Sequence, residues 1–186
     1  ILAVAFGCMD AAGQKGLRGW AWQNPLPQGN PLNSIHFAQD KKTGYAVGVG
    51  NTILKTRDGG FTWQRQYSPT DVNLTDVFVR DERNAVMVGV RGTILATDNG
   101  GGDWKPVPND AREHLRAVTF AGDTREFGWA VGTSGRVVRS TDGGSTWEAV
   151  AQTEPSHLNA VSALDGQNAA AAGEQGIVVV TANGGE

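Results

Sequence analysis

Asp58 and Asp142 are the carboxylates with the most distinctive surroundings in this sequence. They lie in the segments Thr56-Arg-Asp-Gly-Gly-Phe-Thr-Trp63 and Ser140-Thr-Asp-Gly-Gly-Ser-Thr-Trp147, which share the pattern Ser/Thr-x-Asp-x-Gly-x-Thr-Trp. A carboxylate in such a segment could serve as a catalytic acid, and glycoside hydrolysis requires two facing carboxylates. Recurrence at equivalent positions indicates instead a turn, in which Asp accepts backbone N–H groups and Gly supplies a positive φ.

The same pattern, the Asp-box, occurs in two altered copies. Asn99 replaces Asp in the second copy and Asn183 replaces it in the fourth, and Asn can still form the turn. The segment from Asp98 to Asp103 suggests a calcium loop, but its spacing is not that of an EF-hand. We therefore predict structural turns and no metal site or cofactor. The predicted turn residues are Thr56, Asp58, Gly60, Thr62, Trp63, Asn99, Gly101, Trp104, Ser140, Asp142, Gly144, Thr146, Trp147 and Asn183.

The turns belong to a longer repeat. A glycine lies 15 residues before the tryptophan of each of the first three boxes, and successive tryptophans are 41 and 43 residues apart. Each unit contains four short apolar runs separated by turn residues, which is typical of a β-propeller blade. The sequence predicts an all-β propeller of four-stranded antiparallel blades. The units are about 32–66, 74–107, 115–150 and an incomplete 158–186, within a propeller region 20–186 in which Trp22 marks an earlier strand.

The number of blades has two interpretations. In one, the strand around Trp20 and Trp22 completes the last blade and closes a four-bladed ring. In the other, the chain is a fragment of a larger ring, commonly seven-bladed. The count that begins at Gly173 would reach its tryptophan two residues beyond Glu186, which favours the fragment.

The first residues carry a separate signal. Residues 1–8 form a short apolar run that ends in Gly7-Cys8, and residues 9–19 form a linker to the propeller. The run resembles the end of a secretory signal segment and is too short to span a membrane. Cys8, the only cysteine, occupies a position resembling a bacterial lipidation site. We expect an extracytoplasmic protein (periplasmic, lumenal or secreted), with possible membrane attachment through a lipidated Cys8.

The face opposite the Asp-box turns is the predicted partner-binding face. Arg and Tyr are favoured at protein interfaces. A net charge of −3 argues against nucleic-acid binding, and the three histidines and Cys8 show no metal-ligand spacing. The sequence thus favours a protein partner. The candidate residues on this face are Arg65, Tyr67, Arg91, Arg112 and His114.

Four segments together resemble the photosystem II stability/assembly factor-like family: Trp22-Gln-Asn-Pro-Leu-Pro-Gln-Gly-Asn-Pro-Leu32, Gly44-Tyr-Ala-Val-Gly48, Thr52-Ile-Leu-Lys-Thr56 and Asp58-Gly-Gly-Phe-Thr-Trp63. The resemblance implies a seven-bladed extracytoplasmic propeller. It also implies that photosynthetic members assist photosystem II assembly by binding a reaction-centre subunit, partly through an arginine-bearing face. The Trp-Gln-Asn-Pro-Leu-Pro opening is more similar to non-photosynthetic relatives.

An Asp-box propeller that binds or hydrolyses glycans is the alternative. A sialidase-like site would need an arginine cluster and a Tyr–Glu pair, but the chain has only Tyr45 and Tyr67. Tyr45 occupies the same repeat position as Val86 and Trp129, which indicates packing. We therefore expect a non-catalytic protein that binds a partner as an assembly, stability or scaffold factor.

Overall fold

A computed structural model describes residues 29–150 and 155–186. These residues form four antiparallel sheets, in each of which neighbours along the chain are hydrogen-bonded. The first two sheets consist of β1 (Leu32–Phe37), β2 (Gly44–Gly48), β3 (Thr52–Thr56) and β4 (Gln64–Arg65), then β5 (Leu74–Val79), β6 (Ala85–Gly89), β7 (Ile94–Thr97) and β8 (Lys105–Pro106). The third and fourth consist of β9 (Leu115–Ala121), β10 (Phe127–Gly132), β11 (Val137–Ser140) and β12 (Glu148–Ala149), then β13 (Leu158–Ala163), β14 (Ala169–Gly173) and β15 (Val178–Thr181).

The predicted blades are confirmed, with one difference in length. The fourth strand of each of the first three sheets has only two residues, whereas the sequence predicted a run over 62–66 in the first unit. These short strands are exposed, and they include Lys105 and Pro106 in the second sheet. Short, polar edge strands of this kind limit pairing with other chains.

Neighbouring sheets are joined by apolar side chains from their central strands. Every residue of β2 and of β6 is buried, because alternate side chains of these strands point towards the sheets on either side. At the first joint Tyr45, Val47 and Ile53 pack against Met87 and Trp104. The second joint is a similar cluster, centred on Val86, Val88, Ile94, Leu115, Phe120 and Trp147.

The joint between the third and fourth sheets is less completely filled. Its fully buried cluster consists of Val131, Leu158 and Ala171, and a cavity of about 260 Å³ lies between the sheets. The alanines of β14, Ala169 to Ala172, account for this, because they stand where β6 carries Val and Met.

The glycine that ends each second strand permits a close approach of backbones. A Cβ added at Gly132 would lie 1.9 Å from the carbonyl oxygen of His114, and one at Gly48 would lie 2.1 Å from that of Pro31. The φ of Gly132 is −167°, which any residue can adopt. These glycines are therefore required for space rather than for backbone freedom. In residues 29–150 and 155–186, no helix has the length and apolar character needed to cross a membrane.

Candidate functional site

The third Asp-box is held by hydrogen bonds to a single carboxylate. Asp142 Oδ1 accepts the backbone N–H groups of Ser145 and Thr146, both at 2.9 Å, and Oδ2 accepts the Thr146 hydroxyl at 2.7 Å. Ser140 Oγ donates to Asp142 and accepts the Gly144 N–H. Burial by itself would raise the pKa of Asp142, but the hydrogen bonds from Thr146 and Ser140 outweigh it and lower that pKa.

The first Asp-box repeats this arrangement. Asp58 accepts the backbone N–H and the hydroxyl of Thr62 at 2.9 and 2.6 Å, and Thr56 Oγ1 accepts the Gly60 N–H. The indole of Trp63 donates to the Gly60 carbonyl at 3.0 Å, and Trp147 makes the equivalent bond in the third box. Because both carboxylates are engaged within their own turns, the geometry favours the structural role predicted for them.

The second Asp-box keeps the backbone hydrogen bond of the first and third boxes and reverses the direction of the side-chain hydrogen bond. Asn99 Oδ1 accepts the Asp103 N–H at 3.0 Å, and Asn99 Nδ2 donates to the Asp103 carboxylate at 3.1 Å. The carboxylate thus lies on the far side of the turn, where the first and third boxes carry a Thr hydroxyl. In the fourth box Thr181 donates to Asn183, as Thr97 does to Asn99.

We expect Asn99→Asp to destabilise the chain by about 1–2 kcal/mol, although it restores the repeat pattern, because it places two carboxylates in contact where an amide now donates. Adding Asp103→Thr should recover the loss, because the pair then matches Asp142 and Thr146. Urea unfolding in a metal-free buffer measures both variants. A gain in stability from Asn99→Asp alone would contradict this interpretation.

At the opposite end of the blades, one residue links each pair of neighbouring sheets. Asn73 Oδ1 accepts the Gly50 N–H at 2.9 Å, and His114 Nδ1 accepts the Arg91 N–H at 3.0 Å. The backbone carbonyl of each of these two residues accepts an N–H from the turn of its own sheet, Val90 N–H for Asn73 and Thr133 N–H for His114. His157 has the same two roles at the third joint.

The accepted N–H groups belong to tight turns between the second and third strands. Gly50 and Asn51 have φ values of 63° and 54°, and Arg91 and Gly92 have φ values of 58° and 67°. Two successive positive φ values define a turn that matches the strand twist. Arg91 is therefore held at the tip of its turn by the side chain of the following sheet, and its own side chain is exposed.

The structure brings together only some of the predicted partner-binding residues. Arg91, His114 and Arg112 lie around the second joint, where Arg112 is exposed and donates to nearby backbone carbonyls. Arg65 ends β4 and Tyr67 follows it on the outer edge of the first sheet, where Tyr67 is 85% exposed. Within the two described ranges, no hydrogen bond or ion pair joins these two residues to the group around Arg91.

Sequence analysis missed an ion pair on this face. Arg136 donates through Nε and Nη2 to the Glu113 carboxylate at 2.7 and 2.9 Å. The hydrogen bonds from Arg136 lower the pKa of Glu113 to about 2. The two residues are 23 positions apart in different elements, so no local pattern pairs them.

Cations at the Asp-box end were also missed. Lys55 donates to the carbonyl of Gly100, and Arg139 to that of Gly184 at 3.2 Å, so that each contacts the next sheet's box. The second sheet has Ala96 at this position, and Arg80 from the end of β5 donates instead to Gly143 at 2.9 Å. A cation directly before the Ser/Thr of the first and third boxes recurs in the sequence, and this recurrence could have indicated the contact.

Two further predictions are limited by the described ranges. Cys8 and the Trp22 strand lie outside them. Inside them, no three His, Cys, Asp or Glu side chains come close enough together to hold a metal ion.

Comparison with known structures identifies the fold. The structure described as YCF48 bound to D1 peptide superposes with a TM-score of 0.68 at 23% identity, covering 85% of this chain and 53% of that one. YCF48 from Cyanidioschyzon merolae gives 0.66 at 22% identity, covering 84% and 54%. An ancestral GH74 enzyme gives 0.71 at 16% identity, covering 90% of this chain and 25% of the enzyme. These matches establish the propeller fold, and the chain spans about half the length of the two YCF48 structures.

Sequence comparison identifies the family. The chloroplastic photosystem II stability/assembly factor HCF136 of Cyanidioschyzon merolae is 48% identical over 50 residues, which are 26% of this chain and 11% of that protein. The family model described as photosynthesis system II assembly factor YCF48 matches residues 65–186. This match covers well over half of the chain, which therefore belongs to the YCF48 family of photosystem II assembly factors.

Proposed function

We propose that this chain is a non-catalytic assembly or stability factor that binds a segment of a partner protein on its loop face. The loop face is the predicted partner-binding end of the blades, opposite the Asp-box turns, with Arg91, Arg112 and His114 at the second joint and Arg65 and Tyr67 on the outer edge of the first sheet. The observation that carries the proposal is the display of Arg91, whose backbone is held by His114 while its side chain is exposed beside Arg112.

The chemistry of this face suits an extended acidic or carboxylate-bearing peptide. Guanidinium groups bind carboxylates through charge-assisted hydrogen bonds, and an exposed Tyr67 offers apolar area with a polar tip. A YCF48 relative has been described bound to a D1 peptide, which supports a peptide as the class of ligand. We extend this class of ligand to the present chain as part of the proposal.

The proposal includes an extracytoplasmic location and, through Cys8, attachment to a membrane. Mass spectrometry of the N-terminal peptide from protein made in its source would detect an acylated Cys8. A glycan-hydrolysing propeller remains the alternative, because GH74 enzymes share this fold. The engaged carboxylates of the first and third Asp-boxes favour the non-catalytic proposal, which expects no turnover of β-glucans or sialosides.

Binding of a fluorescent D1 peptide, followed by anisotropy, tests the proposal. Replacing both Arg91 and Arg112 with Ala should weaken binding about tenfold or more, since interface arginines are frequent hot spots. Arg57→Ala is the matched control, because Arg57 is exposed within the Asp-box at the other end of β3. Equal losses in both variants, or no peptide binding by the unaltered chain, would overturn the proposal.

A further inference from the structure

We propose that the three histidines make the joints between neighbouring sheets sensitive to mild acid. Each imidazole secures one joint while it is unprotonated, and protonation releases that joint. The device would loosen the blades relative to one another without any change in the turns within each blade.

The proposal rests on one hydrogen bond at each joint. His36 Nδ1 accepts the Val79 N–H at 3.1 Å between the first and second sheets. At the second joint His114 Nδ1 accepts the Arg91 N–H, and at the third His157 Nδ1 accepts the Ser134 N–H at 2.9 Å. These are all the histidines of the chain, and each uses the same ring nitrogen for the same purpose.

The chemistry of imidazole makes this hydrogen bond dependent on the protonation state. A neutral imidazole with its proton on Nε2 has a free lone pair on Nδ1, which accepts a backbone N–H. The imidazolium ion carries hydrogen on both nitrogens and cannot accept. Protonation therefore removes the bond and places two donors against each other. Histidine is the side chain whose ordinary charge change falls in the mildly acidic range.

The surroundings of His36 oppose its protonation. The ring is half-buried and stacks on Phe78, with 4.5 Å between the ring centroids. The guanidinium carbon of Arg125 lies 5.5 Å from the centroid of the same Phe78 ring. Burial and then the charge of Arg125 lower the pKa of His36, and they outweigh Asp76, which raises it. At this joint the neutral form is thus favoured in the folded chain.

One carboxylate and three guanidinium groups lie around His114. Glu113 precedes it in the chain and is engaged by two hydrogen bonds from Arg136. Arg91, whose N–H is accepted by His114, and Arg112, two residues before it in the chain, are two further cations on this side of the joint.

A carboxylate that is paired with an arginine also lies beside His157. Its carbonyl accepts the Glu174 N–H, and the Glu174 carboxylate is paired with Arg116 at 2.9 Å. Arg116, and to a smaller extent His157, lower the pKa of Glu174. Protonation of His157 would cost this joint the hydrogen bond from the Ser134 N–H.

The chain itself contains a version of the joint that cannot titrate. Asn73 occupies the position of His114 and His157 and accepts the Gly50 N–H through its amide oxygen at 2.9 Å. Replacing His114 and His157 with Asn should therefore keep the hydrogen bonds and remove their dependence on pH. This makes the double variant a matched control for the proposal.

The stability of the folded chain depends on pH through the protonation of these histidines. The unfolded chain takes up protons on its histidines near pH 6.5, and protonation in the folded chain costs each joint the hydrogen bond to Nδ1. Stability is thus fully present above that pH and falls as the pH drops below it. Thermal unfolding of the full chain at about pH 7.5 and about pH 5.5 measures the loss. The double Asn variant should lose at least about 4 °C less than the unaltered chain.

A second measurement keeps the test independent of variant folding. The ¹⁵N shifts of the imidazole nitrogens report the tautomer, and at about pH 7.5 all three rings should carry their proton on Nε2. Hydrogen exchange of the Arg91 and Ser134 amides at about pH 5.5 should be slower in the double variant than in the unaltered chain. Equal acid loss in both proteins, or a proton on Nδ1 at neutral pH, would overturn the proposal.

Discussion

Gly132→Ala is expected to destabilise the chain by at least about 3 kcal/mol or to prevent folding. A Cβ at this position would lie 1.9 Å from the His114 carbonyl oxygen and 2.9 Å from Leu115 Cα. Both obstacles are backbone, so no change of side-chain rotamer can relieve the clash. The carbonyl of His114 also accepts the Thr133 N–H, so that a shift would break the link between β9 and the turn after β10.

Circular dichroism and urea unfolding measure this effect, with Gly29→Ala as the control. Gly29 has nothing within 4 Å of an added Cβ, and its substitution should change stability by no more than about 0.5 kcal/mol. The two variants make the same chemical change and differ in the space available. A folded Gly132→Ala chain with unaltered stability would mean that β9 and β10 do not approach as closely as described.

Asp142→Ala is expected to cost about 2–4 kcal/mol, the second largest effect, because it removes the acceptor of the Ser145 and Thr146 N–H groups. Asp142→Asn should cost less, since an amide oxygen keeps those two bonds. The carboxylate has a lowered pKa in the folded chain. Its contribution is therefore present above about pH 4 and is lost as the pH falls through the lowered folded pKa.

Urea unfolding at neutral pH and at about pH 3 tests both parts of this prediction. Asp123→Ala is the matched control, because Asp123 is exposed and makes no hydrogen bond within residues 29–150 and 155–186. The difference between the Asp142→Ala chain and the unaltered one should shrink in acid. Equal stability of the two at neutral pH would show that the carboxylate does not hold the turn.

The blades could be predicted from sequence because their signals are local. The Gly48-to-Trp63 spacing lies within one hairpin unit, and strand alternation and turn chemistry act over a few residues. The length of β4 was not predicted, because this edge strand is exposed and a pattern of apolar residues does not report where an exposed strand stops pairing. The sequence repeat identified Gly132 as a recurring position. It did not show why glycine is required there, which is the close approach of the His114 backbone.

The contacts between sheets could not be predicted in the same way. Arg91 and His114 are 23 residues apart, and Arg80 and Gly143 are 63 apart, so each pair meets only after separate sheets have packed. His114 is a predicted partner-binding residue, and the structure gives its Nδ1 a structural partner, the Arg91 N–H. The candidate face stays a prediction, and the separation of Tyr67 from Arg91 depends on sheet geometry that the sequence pattern does not report.

Site-specific photo-crosslinking in the source cells tests the proposed function most directly. A photoreactive residue is placed at Tyr67 or at Arg91 on the loop face, or at Arg57 on the Asp-box face as the control. We predict that one partner protein crosslinks from Tyr67 and Arg91 and not from Arg57. Crosslinking from Arg57 alone, or from none of the three positions, would contradict binding of a protein partner on the loop face.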